Sequence, residues 1–562
     1  MYDKAKLNHN LDAMQKLERF LSISTLKKLH YIFLLLITFQ TANSQTTNTN
    51  ISNGILFDGE PYIAINPINS QNLVVGWMGL KFSNGQFRIA IKTRASFDGG
   101  NSWSTENILP HFGTGFGSAD PSLAFDKKGL PYISYIDYKQ APDSGGIYVA
   151  RSFNGGLNWD QPTKAFDMYD VANKRPIDRP WLVVDNSNTN NSGALYITTK
   201  PAPWIAPPNR NYFKVSSDSG YTWTSIANID GGTHLVGNFI AQPMAAPTTT
   251  INGKFCAAYP SYVTSQNPLP AYYLATSRNK GQTFSYATII AAAPTPIDSN
   301  FKNAYRLIAN PIDSNKMVFL LPNSMNGDVD IIALHSLDGG QTWSGSVRVN
   351  DDTISNGKAQ DMVWGAYNEQ GKLVVTWRDR RNATANGFWN AGYDFYYATS
   401  TDNGVTFSKN QKLTSQFVAF DSVLTQSGND MMGCVYHGDT LYTVWGDTRT
   451  GKLNIFFSKT IASTNTNIGI SLLAGEQYQW KIFPNPTNDY LNVSTTNEML
   501  GKEISIFDAS GKRIFSQVIT ESNFKIKIQS FAIGVYFLKV GNEVKQFIKI
   551  LMNQLIYILV VH

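Results

Sequence analysis

The feature that most constrains this chain is one short pattern, S-x-D-x-G-x-T-W, which it carries six times in close variants. SFDGGNSW starts at Ser96, SFNGGLNW at Ser152, SSDSGYTW at Ser216, SRNKGQTF at Ser277, SLDGGQTW at Ser336 and STDNGVTF at Ser400. An aspartate at the third position can accept backbone N–H bonds and hold an Asx-type turn. The glycine two residues later permits positive φ without steric cost, and the closing Trp or Phe can bury its ring between neighbouring sheets. Asp98, Asp218, Asp338 and Asp402 keep the acid, while Asn154 and Asn279 replace it. A turn survives that exchange and an acid catalyst does not, so the copies read as six structural turns.

The copies start 56, 64, 61, 59 and 64 residues apart, a spacing that fits one four-stranded blade with generous loops. Each is preceded by an apolar segment: EPYIAINP at Glu60, DPSLAFD at Asp120, RPWLVVD at Arg179, QPMAAP at Gln242, YRLIANP at Tyr305 and DMVWGAY at Asp361. A seventh such segment, DMMGCVY at Asp430, is followed by NIFFSKT (Asn454–Thr460), which stops where a box would begin. The expected fold is all-β: a β-propeller with seven blades favoured over six, closed by Asn50–Phe57 as the missing last strand. Without closure two sheet edges would stay unpaired.

Composition narrows the function classes. Hydrophobic residues make up 42% and charged residues 16%, which allows a large core and argues against global disorder. The net charge of +6 is scattered rather than clustered, so no nucleic-acid partner is expected. The two cysteines, Cys256 and Cys434, read as buried thiols, and no CxxC or HExxH motif is present. Residues 1–44 read as a signal peptide with an extended n-region. Lys27 and Lys28 precede the apolar Tyr31–Phe39, with Ala42 and Ser44 at the cleavage positions. That core is too short to span a bilayer, so no stable membrane span is expected in the mature protein.

The repeated boxes resemble the Asp boxes, or BNR repeats, of sialidase-superfamily propellers. The resemblance covers 45–461 and implies that the boxes lie opposite the ligand face. After a linker at 462–478, residues 479–550 alternate strands and turns as a small β-sandwich would. Phe483-Pro484-Asn485-Pro486, Asp508-Ala509-Ser510-Gly511-Lys512 and Gly534-Val535-Tyr536 resemble the C-terminal sorting domain of the type IX secretion system. This implies a Bacteroidetes-type bacterium, secretion machinery as a partner, and a secreted or cell-surface destination. An atypical apolar tail follows at 551–562.

Antiparallel order places the starts of the first strands and the ends of the second strands on one face. Glu60, Asp120, Asp178, Arg179, Arg306, Asp361 and Asp430 come from the first set. Trp77, Asp137, Lys200, Trp377, Arg378, Asp379, Trp445 and Asp447 come from the second. Indole faces can stack on sugar rings and guanidinium forks can grip carboxylates. The expected catalytic groups are Asp120 or Asp137 as proton donor, with Asp379 a further acid and Tyr305 as nucleophile, since sialidases use a tyrosine. The expected substrate contacts are Arg179, Arg306, Arg378, Trp77, Trp181, Trp377, Trp445 and Asp447. The superfamily's opening R-I-P motif is replaced here by Glu60-Pro61-Tyr62. No cofactor is expected; Ca²⁺ held by Glu60, Asp361 and Asp430 is the alternative.

Two functions follow: a hydrolase for extracellular glycans, acidic sugars among them, or a non-catalytic surface propeller that binds glycan or protein. The arginine and tryptophan clustering favours the first, and the missing motif favours the second.

Overall fold

The structure, a computed structural model, describes residues 48–549 except 84, 140–142, 176–177, 264, 266–269, 292–304, 385–390, 419–428, 463–479, 486, 509–511 and 542. The expected signal segment, most of the linker and the apolar tail lie outside the described residues, as do Pro486 and Ala509–Gly511 of the sorting motifs. The chain divides into two compact units, Met1–Ser471 and Leu472–His562. Among the described residues no helix is long and apolar enough to cross a membrane.

The first unit holds seven four-stranded sheets, each antiparallel throughout. Their first strands are Asp58–Asn66, Phe116–Phe125, Asp178–Val184, Ala246–Thr249, Arg306–Ala309, Gln360–Tyr367 and Gly433–His437. Each of these touches the first strand of the next sheet, and the seventh touches that of the first, so the sheets follow one another around a closed circuit. Their neighbours on the second strands, such as Leu73-Val74-Val75 and Leu373-Val374-Val375, are fully buried. Runs of β-branched residues suit strands covered on both faces.

The seventh sheet takes its outer strand from the other end of the unit. Asn48–Asn50 pairs with Asn454–Ile461 in the register Asn48↔Ser458, Thr49↔Phe457 and Asn50↔Phe456. This strand lies mostly upstream of the expected Asn50–Phe57. The reason is local: Asn53 takes a φ of 53° and donates its N–H to Asn50 Oδ1 at 2.9 Å, turning the chain off the sheet. The chain returns at Asp58, whose N–H donates to the Leu453 carbonyl at 2.9 Å.

Every box joins the third strand of its sheet to the fourth. In the fifth sheet, Ser336 Oγ donates to Asp338 Oδ1 at 2.8 Å and accepts the Gly340 N–H at 2.8 Å. Thr342 donates its N–H to Asp338 Oδ1 at 2.9 Å. Burial opposes ionisation of Asp338, yet the bonds from Thr342 and Ser336 outweigh it and hold the carboxyl at about 2. Asn154 receives the matching bonds from Ser152 Oγ and the Asn158 N–H, each at 2.9 Å, so an amide serves the turn equally well. The box rings reach the preceding sheet: Trp103 meets Phe457 edge-on at 5.0 Å, and Trp159 donates to Thr93 Oγ1 at 3.0 Å.

The second unit contains two antiparallel sheets. Lys481–Phe483, Tyr490–Ser494 and Asn523–Lys527 form one; Arg513–Val518, Glu503–Asp508, Gly534–Val540 and Glu543–Lys549 form the other. Leu491, Val493 and Ile526 from the first share a core with Ile504, Ile506 and Leu538 from the second. The motif residues serve turns and edges: Asp508 Oδ1 accepts the Lys512 N–H at 3.1 Å, and Asn485 Oδ1 accepts the Ile548 N–H at 2.9 Å.

The box glycines carry a separable prediction. Gly340 has a φ of 90°, and a Cβ there would lie 2.3 Å from Leu274 Cδ2 of the preceding sheet. Gly438 has a φ of 55° with open space around it. Left-handed strain costs about 1–2 kcal/mol and overpacking about 1–3 more. Chemical denaturation should therefore show Gly340→Ala losing about 2–5 kcal/mol and Gly438→Ala only about 1–2.

Candidate functional site

In three consecutive sheets the first strand carries a charged residue followed by proline: Glu60-Pro61, Asp120-Pro121 and Arg179-Pro180. Glu60, Asp120 and Arg179 all adopt left-handed φ values, of 51°, 56° and 52°. The pairing register jumps at each, between Gly59 and Tyr62, Ala119 and Ser122, and Asp178 and Trp181. The sixth sheet repeats the device at Met362, with a φ of 52° and a jump between Asp361 and Trp364. Proline has no N–H to lose from a ladder, so it suits such a bulge. A bulge re-aims the side chain it carries, and left-handed backbone at a non-glycine residue concentrates at functional sites.

These bulges bring Glu60, Asp120, Asp178, Arg179 and Asp430 together. The Arg179 guanidinium pairs with Asp430, and the Arg179 N–H donates to Asp120 Oδ2 at 3.2 Å. Lys200 stands opposite Asp178 in the ladder, pairs with its carboxylate and donates to Gln242 Oε1 at 3.0 Å. Four carboxyls thus meet two cations. Burial, and then the charges of Asp430 and Asp120, push Glu60 well above its ordinary value, which favours its protonated form. Burial also raises Asp120, but hydrogen bonding to Glu60 and the charge of Arg179 outweigh it and lower that carboxyl. Burial dominates at Asp178, which rises to about 7 despite Lys200.

The three arginines expected to grip a sugar carboxylate have separate employments. Arg179 serves Asp430. Arg378 grips Asp361 through two bonds, at 2.6 and 2.5 Å, with Arg380 adding a third at 3.1 Å. Burial opposes ionisation of Asp361, and these two arginines overcome it to hold it at about 2. Arg306 lies against both Trp181 and Trp364, 4.0 and 3.8 Å from their ring centroids, and donates to the Tyr62 hydroxyl at 3.4 Å. Trp181 therefore packs against an internal cation.

Other expectations need correction. Trp77, Trp377 and Trp445 are fully buried, and their indole N–H groups bond Asp58, Asp379 and Asp447, so their faces lie in the packing between sheets. Asp379 and Asp447 are themselves buried and clamped by Arg381 and Arg449, which makes W-x-D-x-R an internal brace. Asp137 is fully buried and accepts Ser118 Oγ at 2.8 Å, the Phe112 N–H at 2.7 Å and His111 Nδ1 at 2.9 Å; it is occupied as an acceptor, not placed as a proton donor. Tyr305 donates to the Met244 carbonyl, and burial followed by Tyr272 pushes its phenol far up, which disfavours a nucleophile. The calcium alternative fails on geometry, because Asp361 is taken by Arg378 and Arg380 rather than facing Glu60 and Asp430. Among the described residues no group of three or more His, Cys, Asp and Glu could hold a metal ion.

The sequence reading gave Glu60 only a metal role and passed over Tyr138, the second-to-last residue of the strand Pro131–Lys139. Burial, then the charges of Asp120 and Asp178, raise the Tyr138 phenol, which places it beside the cluster. The signal that could have found the cluster is the charged residue before proline at the same point of three consecutive units.

Because burial and the neighbouring carboxylates raise the Glu60 carboxyl in the folded chain, its linkage has a definite sign. A raised carboxyl pKa makes the folded state lose stability as pH rises above the unfolded value of 4.5. Gln mimics the protonated acid. Thermal melts should show Glu60→Gln and the parent alike at about pH 4, with the variant gaining steadily over the parent as pH climbs toward 8.

Comparison with known proteins agrees with this architecture. Residues 141–389 match a BNR repeat-like domain, and residues 481–554 match a secretion system C-terminal sorting domain. No curated protein matches the chain. Among solved structures, a protein of unknown function from Dyadobacter fermentans is 15% identical, covering 59% of this chain and 94% of its own, with a TM-score of 0.38. An α-L-arabinofuranosidase of Fusarium graminearum is 13% identical, covering 75% and 99%, with a TM-score of 0.41. The NanB sialidase of Streptococcus pneumoniae is 12% identical, covering 74% and 70%, with a TM-score of 0.38. At such scores these likenesses carry no argument about substrate. Residues 141–389 thus carry a BNR repeat-like domain within the closed circuit of four-stranded sheets, and residues 481–554 carry a type IX secretion C-terminal sorting domain, which directs export to the cell surface or the extracellular space.

Proposed function

We propose that this protein is an exported glycoside hydrolase acting on extracellular glycans, with Glu60 as general acid and Asp120 as its ionised partner. The observation that carries this reading is the opposite displacement of two neighbouring carboxyls: Glu60 goes up and Asp120 goes down. Pairs of acids pushed apart in this way mark acid and base assignments, and glycoside hydrolysis needs one carboxyl protonated and one ionised. Arg179 and Asp430 hold the pair in place. We further take the seven sheets as seven blades of the 45–461 propeller, and the two sheets of 479–550 as a sandwich, with a cleavable leader at 1–44.

A specific observation favours the second reading, a glycan-binding surface propeller without turnover. The cations nearest the carboxyls are already paired, Arg179 with Asp430 and Lys200 with Asp178. Such a mouth recognises hydroxyls readily and stabilises developing charge less well.

The test uses the secreted full chain against fluorogenic glycosides, including a sialoside and an arabinofuranoside, alongside a glycan array. Turnover should fall about 10²–10⁴-fold in Glu60→Gln and Asp120→Asn. kcat/KM should decline on the alkaline side as Glu60 loses its proton and on the acid side as Asp120 gains one. Glycan binding that survives both substitutions without any turnover would establish the binding propeller instead.

A further inference from the structure

We propose that a cleft between the first and second sheets is a subsite for an anionic sugar ring, next to the ring held at the carboxylate cluster. The proposal rests on the glycan reading above and adds the substrate class. The cleft encloses about 330 Å³, which lies within the range of small-ligand pockets. Its lining includes Leu80, Phe87, Ile89, Phe116 and Tyr138 beside Arg88. Ala119, which immediately precedes Asp120, lines it too, so the cleft adjoins the carboxylate cluster.

The first sheet builds one wall by overhanging its neighbours. Its second strand, Asn69–Ser83, has 15 residues and its third, Gln86–Ser96, has 11, whereas no other second strand of the ring exceeds the 9 of Pro131–Lys139. Pairing with the first strand ends at Asp58↔Gly79, but pairing between second and third continues to Ser83↔Gln86. The projecting hairpin leaves Phe82 and Phe87 61% and 52% exposed, with ring centroids 4.9 Å apart. Exposed aromatic rings beside a polar cluster suit the apolar face of a sugar.

Arg88 supplies the charge. Its Nη2 donates to Gln86 Oε1 at 2.7 Å, and no described carboxylate forms an ion pair with it. A Cβ on Gly115, across the cleft, would lie 3.9 Å from Arg88 Nη1, so the guanidinium leans over the space. At the mouth, Arg179 and Arg378 are committed to Asp430 and Asp361. Arg306 is stacked on Trp181 and Trp364, whereas Arg88 has no ion-pair partner among the described residues and lines the cleft, so its fork is open to a ligand's carboxylate or sulfate through two parallel bonds. Arg88 would thus select a glycan whose acidic residue neighbours the ring at the cluster.

Calorimetry on the full chain, with a uronate-containing tetrasaccharide and its neutral counterpart as probes, tests this. The parent should bind the uronate probe about tenfold or more tighter, a preference that Arg88→Gln removes while retaining the neutral affinity. Gly117 lines the cleft with an ordinary φ, and its Cβ would meet only the Ile89 carbonyl, at 3.7 Å. Gly117→Phe, checked for an unchanged melting profile, should therefore weaken both probes about tenfold by filling the space. A preference that persists in Arg88→Gln, or its absence in the parent, overturns the subsite. Turnover is scored separately: these binding changes without turnover would sink the hydrolase and leave the subsite. Turnover lost in Glu60→Gln, with no uronate preference, would do the reverse.

Discussion

Three residues from near the start of the folded region pair with a strand more than four hundred residues later, and the rest of the ring depends on that contact. Asn48–Asn50 caps the otherwise open edge of the strand Asn454–Ile461. Six sheets complete themselves from consecutive strands; the seventh cannot. Left unpaired, it would expose a row of backbone donors and acceptors and loosen its packing on the first sheet. The contact fixes where the circuit ends, and with it the convergence of Glu60 from the first sheet and Asp430 from the segment leading into the seventh. The boxes assist at each joint, since their rings and glycines press on the sheet before them.

Convergence has an electrostatic cost, and its relief gives the site its chemistry. Buried carboxyls cannot all ionise side by side, so the proton stays where compensation is weakest. That place is Glu60: its charge also reaches Arg179, but among the described residues Arg179 bonds Asp120 and Asp430 and not Glu60. The left-handed bulges are the backbone counterpart of this crowding. Those at Glu60, Asp120 and Arg179 each hold a charged side chain at an angle that a regular strand would not give.

Much of the fold was legible in the chain. The box residues could be given jobs one by one, and their hydrogen bonds match those jobs, down to Asn154 and Asn279 substituting for aspartate. The seventh unit without a box pointed to a borrowed strand, although the turn at Asn53 shifted it upstream. The site was less legible. Trp77, Trp377 and Trp445 looked like sugar platforms because residue type and strand position do not reveal which way a ring is turned. Their aspartate partners, two residues on or in a paired strand, turned them inward. Arg378 likewise went to Asp361, on the strand beside it, and not to the mouth.

What the sequence alone determined is whatever depends on local spacing: the box turns, the β-strand rhythm and the sorting motifs. Those follow from hydrogen bonds and side-chain alternation within a few residues. Tertiary structure decided which charges meet. Glu60, Asp120 and Arg179 come from three sheets and Asp430 from the segment leading into a fourth, so their charge states follow from distances that exist only once the circuit closes. Coulomb energy and desolvation depend on position in space and carry no trace along the chain.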